Sequence, residues 1–425
     1  MVYRTPGSTL ACWYTNQYRG GTSMTVTTTS RTTTAAGPRA WTMLALGVAA
    51  QAAGTLVVSA PALLIPQLHS SGTSLTVAGT LAAAPTFGMV LTLIAWGAVT
   101  DRFGERVVIA GGLVLTTLTA VAAWLAAGDT LLLGLAFLAG GMTSASTNAA
   151  SGRVVVGWFP RERRGLAMGI RQMSQPLGVT LAAVTVPQLA ESSGIRSALV
   201  LPVVLCAVLA VLCALGIRNP PRPARTDAPA HQTANPYRRD GFLWRIHAVS
   251  VLLVVPQFTL STYGLVWLVG LGWATPAAGL LVGAAQFVGA IGRILVGAWS
   301  DRAGSRVGPL RTVALSAAVV MGGMALVDVT QWAAAAVFLV VATSVTVADN
   351  GLAYTSVAEA AGPFWSGRAL GAQNTGQFIA ASAVGPGVGA LVGALGFAAT
   401  FGIVAVLPLL ALPLTPRADR EHQQD

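Results

Sequence analysis

The chain of 425 residues contains no lysine: all 25 of its basic residues are arginine. Charge of either sign is scarce, at 9% against the roughly 25% of soluble domains, which excludes an ordinary water-soluble globular protein. Cysteine is nearly absent, with Cys12 alone and Cys206 and Cys213 seven residues apart in an apolar run, so no disulfide framework is expected. The four histidines, His69, His231, His247 and His422, are scattered and mostly in or beside loops and tails, and make no metal cluster. Neither an HExxH nor a GxSxG motif occurs, and no dinucleotide fingerprint. An enzyme, a resident metal and a bound cofactor are therefore not expected.

Apolar side chains, in contrast, make up 54% of the chain, the mean hydropathy is +0.68, and 48 glycines and 22 prolines are spread through the apolar stretches. This describes a helical membrane protein with many spans. A spanning helix needs about 20 mostly apolar residues. Twelve such runs lie near 41–65, 75–98, 107–127, 130–157, 165–190, 196–217, 244–269, 274–299, 311–328, 332–361, 366–393 and 395–415.

The remaining segments read as connections. Residues 1–40, rich in Thr, Ser and Gly, are expected to form a disordered tail, within which Met24 is an alternative start. Residues 218–243 hold five prolines and five arginines and read as a linker between two six-helix halves, 41–217 and 244–415, with a short tail at 416–425. A net charge of +11 would raise nucleic acid as a partner, but 21 of the 25 arginines fall on one side of the threaded chain and only Arg196 on the other. Positive charge marks the cytoplasmic loops, so both termini are expected in the cytoplasm, and nucleic acid is dismissed.

The halves repeat one another. GAVTDRFGER at 97–106 recurs as GAWSDRAGSR at 297–306, pairing Gly97, Asp101, Arg102, Gly104 and Arg106 with Gly297, Asp301, Arg302, Gly304 and Arg306. Later the offset becomes 202, pairing Asn148 with Asn350, Gly169 with Gly371 and Gln175 with Gln377. The G-x-x-x-D-R-x-G-x-R pattern after the second and eighth spans resembles that of the major facilitator superfamily of secondary transporters. The run from Trp158 to Gly165 resembles that of bacterial members.

The resemblance implies an all-α membrane fold of two pseudo-symmetric six-helix bundles, a solute site between them, alternating access, and a monomer in a bacterial inner membrane. It also implies that Asp101 faces the start of the eleventh span near Ser366 to Arg368, and Asp301 the start of the fifth near Gly165. Each would latch the cytoplasmic side. A carboxylate there can accept from free N–H groups and meet the positive end of a helix dipole. The motif arginines would balance the aspartates or hold lipid phosphates.

Counting about 1.5 Å per residue from each boundary brings Gln51, Asn148, Arg171, Gln175, Gln257, Gln286, Asn350, Gln373, Asn374 and Gln377 near the bilayer midplane, as candidates for a substrate cavity. Arg171 and Gln175, four apart, would share a face and look across the cavity at Gln373 and Gln377. Arg153 is expected to snorkel, and Glu359 to be solvated. Asp349, the acid near the midplane, is the candidate carrier of a coupling proton, or else forms a salt bridge with Arg293 or Arg171.

Departures from the family pattern weigh on the substrate. Ala136 stands where many proton-coupled relatives have Arg, and Gln175-Pro176-Leu177-Gly178 is a degenerate antiporter signature, which argues against multidrug or antibiotic efflux. Three arginines inside the spans (Arg153, Arg171, Arg293) against one acid lean towards an organic anion. A non-transporting sensor on the same fold is the alternative of another class.

Overall fold

A computed structural model of the protein describes residues 37–220, 233–238, 241–331 and 334–420. The expected N-terminal tail and most of the linker lie outside the described residues. The described chain is helical without strands: α1 Pro38–Leu63, α2 Ile65–Ser70, α3 Leu75–Phe103, α4 Glu105–Leu125, α5 Thr130–Trp158, α6 Arg161–Gln172, α7 Ser174–Gly216, α8 Phe242–Gly270, α9 Thr275–Ala303, α10 Val307–Thr330, α11 Ala335–Thr346, α12 Asp349–Ala361 and α13 Ser366–Leu414. A 3-10 turn, Pro236–Arg238, precedes α8.

Local sequence explains the ends. Pro38 opens α1 where its missing N–H costs nothing, so the helix takes in the last residues of the expected tail. Ser74 caps α3 by accepting from Val77 N, and Asp129 caps α5 by accepting from Leu131 N and Leu132 N, both at 2.9 Å. Gly104, at φ +86°, makes the turn from α3 into α4, a conformation that disfavours any side chain.

Ten helical stretches are long and apolar enough to cross a membrane. Two of them, Arg161–Gly216 and Ser366–Leu414, each hold two of the twelve apolar runs. A straight helix of 49 residues would reach roughly 74 Å, more than twice a bilayer core of about 30 Å. Each is broken by a glycine of positive φ, Gly194 at +83° and Gly396 at +78°. Those two glycines are 202 residues apart, the same offset as the side-chain repeat.

Packing differs along the long axis of the bundle. At the arginine-rich end one apolar core mixes both sides of the linker, with Leu44, Phe159 and Met168 against Ile246, Leu310, Leu352 and Leu370. Towards the other end there are two separate cores, one around Leu56, Phe137 and Leu199 and one around Leu260, Trp267 and Phe401. The outer surface keeps its apolar side chains bare, as lipid contact requires: Leu118, Leu215, Leu280 and Val319 are all well exposed.

Candidate functional site: a cavity above two latches

The two halves touch most closely where glycines meet. A Cβ on Gly97 of α3 would overlap the carbonyl of Gly367 in α13, and one on Gly297 of α9 would overlap the carbonyl of Gly165 in α6. One turn further from the arginine-rich end the contact repeats, with Gly371 against Leu93 and Gly169 against Arg293. Only glycine permits backbones this close, which fixes why these residue types stand at these four positions.

Beside each glycine contact sits a motif aspartate. Asp101 accepts from Gly367 N at 2.8 Å and Arg368 N at 3.0 Å, the second and third residues of α13, whose N–H groups have no partner within the helix. Asp301 accepts from Gly165 N and Leu166 N, both at 2.8 Å. These lie one turn inside α6, which starts at Arg161, so the carboxylate does not meet the first-turn groups expected at a helix start. Arg306 bridges the carboxylate to that helix start: its Nη2 donates to Arg161 O at 2.6 Å and its Nη1 to Asp301 Oδ1 at 2.6 Å.

Each latch also buries an arginine and a glutamate. In the first, Arg153 pairs with Asp101 at 3.1 Å and Glu105 at 3.2 Å, and donates to Thr100 O and, across the halves, to Pro363 O. In the second, Arg306 pairs with Asp301, and with Glu359 at 3.4 Å, which Arg164 also reaches at 3.3 Å. Arg153 is thus not snorkelling and Glu359 is not solvated: they are 4% and 5% exposed. A buried charge must find its opposite, and both expectations failed because neither partner is near in sequence. The other motif arginines do less. Arg106 donates to Ala214 O and its backbone N–H to Asn219, tying α4 to the end of α7, while Arg102 and Arg302 are exposed.

Away from the latches a cavity of about 570 Å³ opens between the halves. Of the expected residues Gln51, Asn148, Gln175, Gln257 and Gln286 line it, joined by Thr55, Ser144, Thr180, Phe258, Phe378 and Arg293. A small adjoining pocket of about 30 Å³ is lined by Asn350, Asn374 and Gln377 together with Gln175 and Gln257.

A cavity between halves, closed at one end by a repeated Asp motif set on paired glycines, is the architecture of a known family, and the profile of the Major Facilitator Superfamily matches residues 42–386. The chain belongs to that superfamily. It is 44% identical over 392 residues to an uncharacterized MFS-type transporter, Rv2994, of Mycobacterium tuberculosis strain H37Rv, covering 91% of this chain and 87% of that one. It is 30% identical over 154 residues, 36% of this chain and 28% of the other, to a probable chloroplastic anion transporter 4 of Arabidopsis thaliana. Its fold is similar to that of the MFS transporter FucP in the outward conformation, with TM-score 0.68 at 16% identity, over 88% of this chain and 97% of that one. The protein is a multi-pass membrane transporter of this superfamily.

Within this superfamily fold the cavity walls are pre-bonded. Arg171 donates from Nε to Ser151 Oγ at 3.0 Å and from Nη2 to Asn148 O and Oδ1 at 2.7 and 2.9 Å, and Nη1 meets Gln172 Oε1. Ser151 in turn donates to Gln51 Oε1 at 2.8 Å. Within the second half, Gln377 donates to Asn350 and Asn350 to Gln257, at 3.0 and 2.9 Å, while the Tyr354 hydroxyl holds Asn374 and Gln377. The Arg171 guanidinium lies 5.4 Å from the centre of the Tyr354 ring, a cation–π contact joining the two networks.

Two expectations are corrected here. Arg171 and Gln373 line neither cavity and do not face one another. Arg171 is taken up by Asn148 and Ser151 of its own half and stacks on Tyr354, while Gln373 bonds Ser250 and His247 on α8. Asp349 forms no ion pair with Arg293 or Arg171, and no other side chain donates to its carboxylate, which has only the N–H groups of its own helix start beside it. It stands at the first residue of α12, where the helix is interrupted after Thr346.

Sequence reasoning passed over Tyr354, Glu105 and His247. His247 accepts from or donates to Tyr237 at 2.9 Å and also bonds Gln373, so the segment before α8 is tied to α13. A tyrosine and a histidine in apolar runs carried no periodic signal of that role.

Proposed function

We propose that the protein is a secondary active carrier that moves a small organic solute, by preference an anion, across the cell membrane by alternating access, with Asp349 carrying a coupling proton. The observation that carries the reading is the cavity between halves whose arginine-rich end is held by two equivalent latches and whose other end has separate cores. Such an arrangement has one set of contacts to break and one gap to close, which is what rocking about a central site demands. The breaks at Gly194 and Gly396 then divide the ten apolar stretches into twelve passes, in two six-helix bundles with both termini in the cytoplasm, acting as a monomer in a bacterial inner membrane.

In this reading the latches hold the cytoplasmic side shut and the cavity faces outward. The lean to an anion is supported by the arginines inside the spans and by the partial likeness to a probable anion transporter. A buried intramembrane carboxylate to which no side chain donates and which has no ion pair is stable there only if it is protonated or sits in the field of a cation, which suits a group that gains and loses a proton during the cycle. Purified protein in liposomes is expected to show saturable counterflow of its solute. Asp349→Asn should abolish accumulation driven by a proton gradient and spare counterflow; unchanged accumulation would overturn the coupling assignment.

A further inference from the structure

Among the residues that line the 570 Å³ cavity, Arg293 alone carries a charge. It reaches the wall from α9, two helical turns from Gln286 and therefore on the same face. Its surroundings leave the guanidinium underused. Nη1 donates to Gln172 O at 3.1 Å, Nε has no partner, and the side chain is only 6% exposed. A desolvated cation with an unused donor, in the wall of a cavity that also carries amides and hydroxyls, is strongly disposed to take an oxyanion, and the planar fork matches a carboxylate.

The nearest opposite charge is Asp349. It is 1% exposed, no other side chain donates to its carboxylate, and it acts on Arg293 through space, with no N–O approach within 4 Å. Arg171, the other arginine at this depth, is already satisfied by Asn148, Ser151 and Gln172, and Arg153 by its two acids. The charged and titratable groups around Asp349 are therefore Arg293 from α9, and Tyr354 on its own helix with Arg171 of α6 stacked on it.

We propose that Arg293 is the docking cation for the solute's carboxylate, and that Asp349 is the resident counter-charge whose place in the field of Arg293 the solute takes. One cation matches one negative charge, so the solute is a monocarboxylate. The amides of Gln51, Gln175, Gln257 and Gln286 around it suit a hydroxylated body, which they can both donate to and accept from. The inference rests on the carrier reading but names a residue that the spacing of the sequence did not single out over Arg171.

The test uses the full-length protein in detergent and in liposomes, with three hydroxylated acids (gluconate, galactonate and lactate) and their neutral counterparts, glucose, galactose and lactamide. At least one acid is expected to raise the melting temperature, while its neutral counterpart does not. Arg293→Gln should weaken binding of that acid at least tenfold. Asp349→Asn, which frees Arg293 of its counter-charge, should tighten binding several-fold, a gain that a merely structural role would not produce. The paired Arg293→Gln/Asp349→Asn variant, which leaves no lone buried charge, guards against misfolding and should bind as weakly as Arg293→Gln.

No shift with any acid, or an acid that binds Arg293→Gln unchanged, would overturn the proposal. Saturable counterflow of a neutral sugar that survives Arg293→Gln would overturn it too, and leave the carrier reading intact. Stabilisation by an acid that depends on Arg293 but comes without counterflow would sink the carrier reading and keep the binding site.

Discussion

The latch around Asp101 and the latch around Asp301 are built from the same three side chains placed differently. Both pair a motif aspartate on two backbone N–H groups of the opposite half with a buried arginine and a buried glutamate. In the first, the glutamate, Glu105, comes from the motif loop and the arginine, Arg153, from α5. In the second, the arginine, Arg306, comes from the loop and the glutamate, Glu359, from α12. At the repeat offset of 202, Thr355 stands opposite Arg153, and at the offset of 200 Arg106 stands opposite Arg306 without entering its latch. What the repeat preserves is the chemistry of the cluster, with positive and negative residues exchanged between loop and helix. A buried aspartate needs a cation within reach, and the fold accepts it from either side.

The exchange has unequal consequences, and the largest expected effect breaks the likeness. Arg153→Ala leaves Glu105, 1% exposed, with no cation in contact among the described residues, while Asp101 keeps its bonds to Gly367 N and Arg368 N. Arg306→Ala leaves Glu359 still paired with Arg164 and Asp301 still bonded to Gly165 N and Leu166 N. Removing one member of a buried pair costs about 3–5 kcal/mol, and we expect that of Arg153→Ala but only about 2 kcal/mol of Arg306→Ala. Unfolding midpoints of the two variants in the same detergent check this; equal losses would mean that Glu105 finds another partner.

The second test sharpens what the latches share. Gly97→Ala and Gly297→Ala each push a methyl group into a backbone carbonyl of the other half, which cannot yield as a flexible side chain could. Overpacking of this kind costs typically 1–3 kcal/mol. In the alternating-access cycle proposed above the contact exists only while the arginine-rich end is closed, so both variants should shift the carrier towards the open arrangement by similar amounts. Labelling of a cysteine in place of Ala369, buried in the shared core beside the contact, would read the shift as faster modification in both. A change in one variant alone would show that the two crossings are not equivalent.

How much of this was legible follows from where the partners lie. The motif aspartates and glycines could be found because they repeat, and the backbone targets of Asp101 were reached through the resemblance. Polar residues near the midplane were reached by counting helix rise, and most of them do line the cavity or its adjoining pocket. Arg153 and Glu359 were misread because a burial depth cannot show a partner 50 residues away in sequence. Arg171 was misread for a different reason. The spacing rule gives a helix face but not the partners on it, and Asn148, Ser151 and Gln172 take up the Arg171 guanidinium.

The smallest effect concerns the outlying arginines of the motif, and it probes whether the exchange is complete. Arg302 is exposed and its guanidinium makes no ion pair among the described residues, so Arg302→Ala should change stability by no more than about 0.5 kcal/mol. Its counterpart Arg102 is also exposed, lying 5.4 Å from the Phe103 ring, and should be as tolerant. Arg106→Ala differs, because Nε donates to Ala214 O at 2.8 Å, where α7 ends and an unpaired carbonyl needs a donor. That loss should reach about 1 kcal/mol. If Arg302→Ala and Arg106→Ala were instead equal, Arg106 would be held by water and lipid rather than by α7. The motif's last arginine would then be a latch residue in the second half alone, with no structural role in the first.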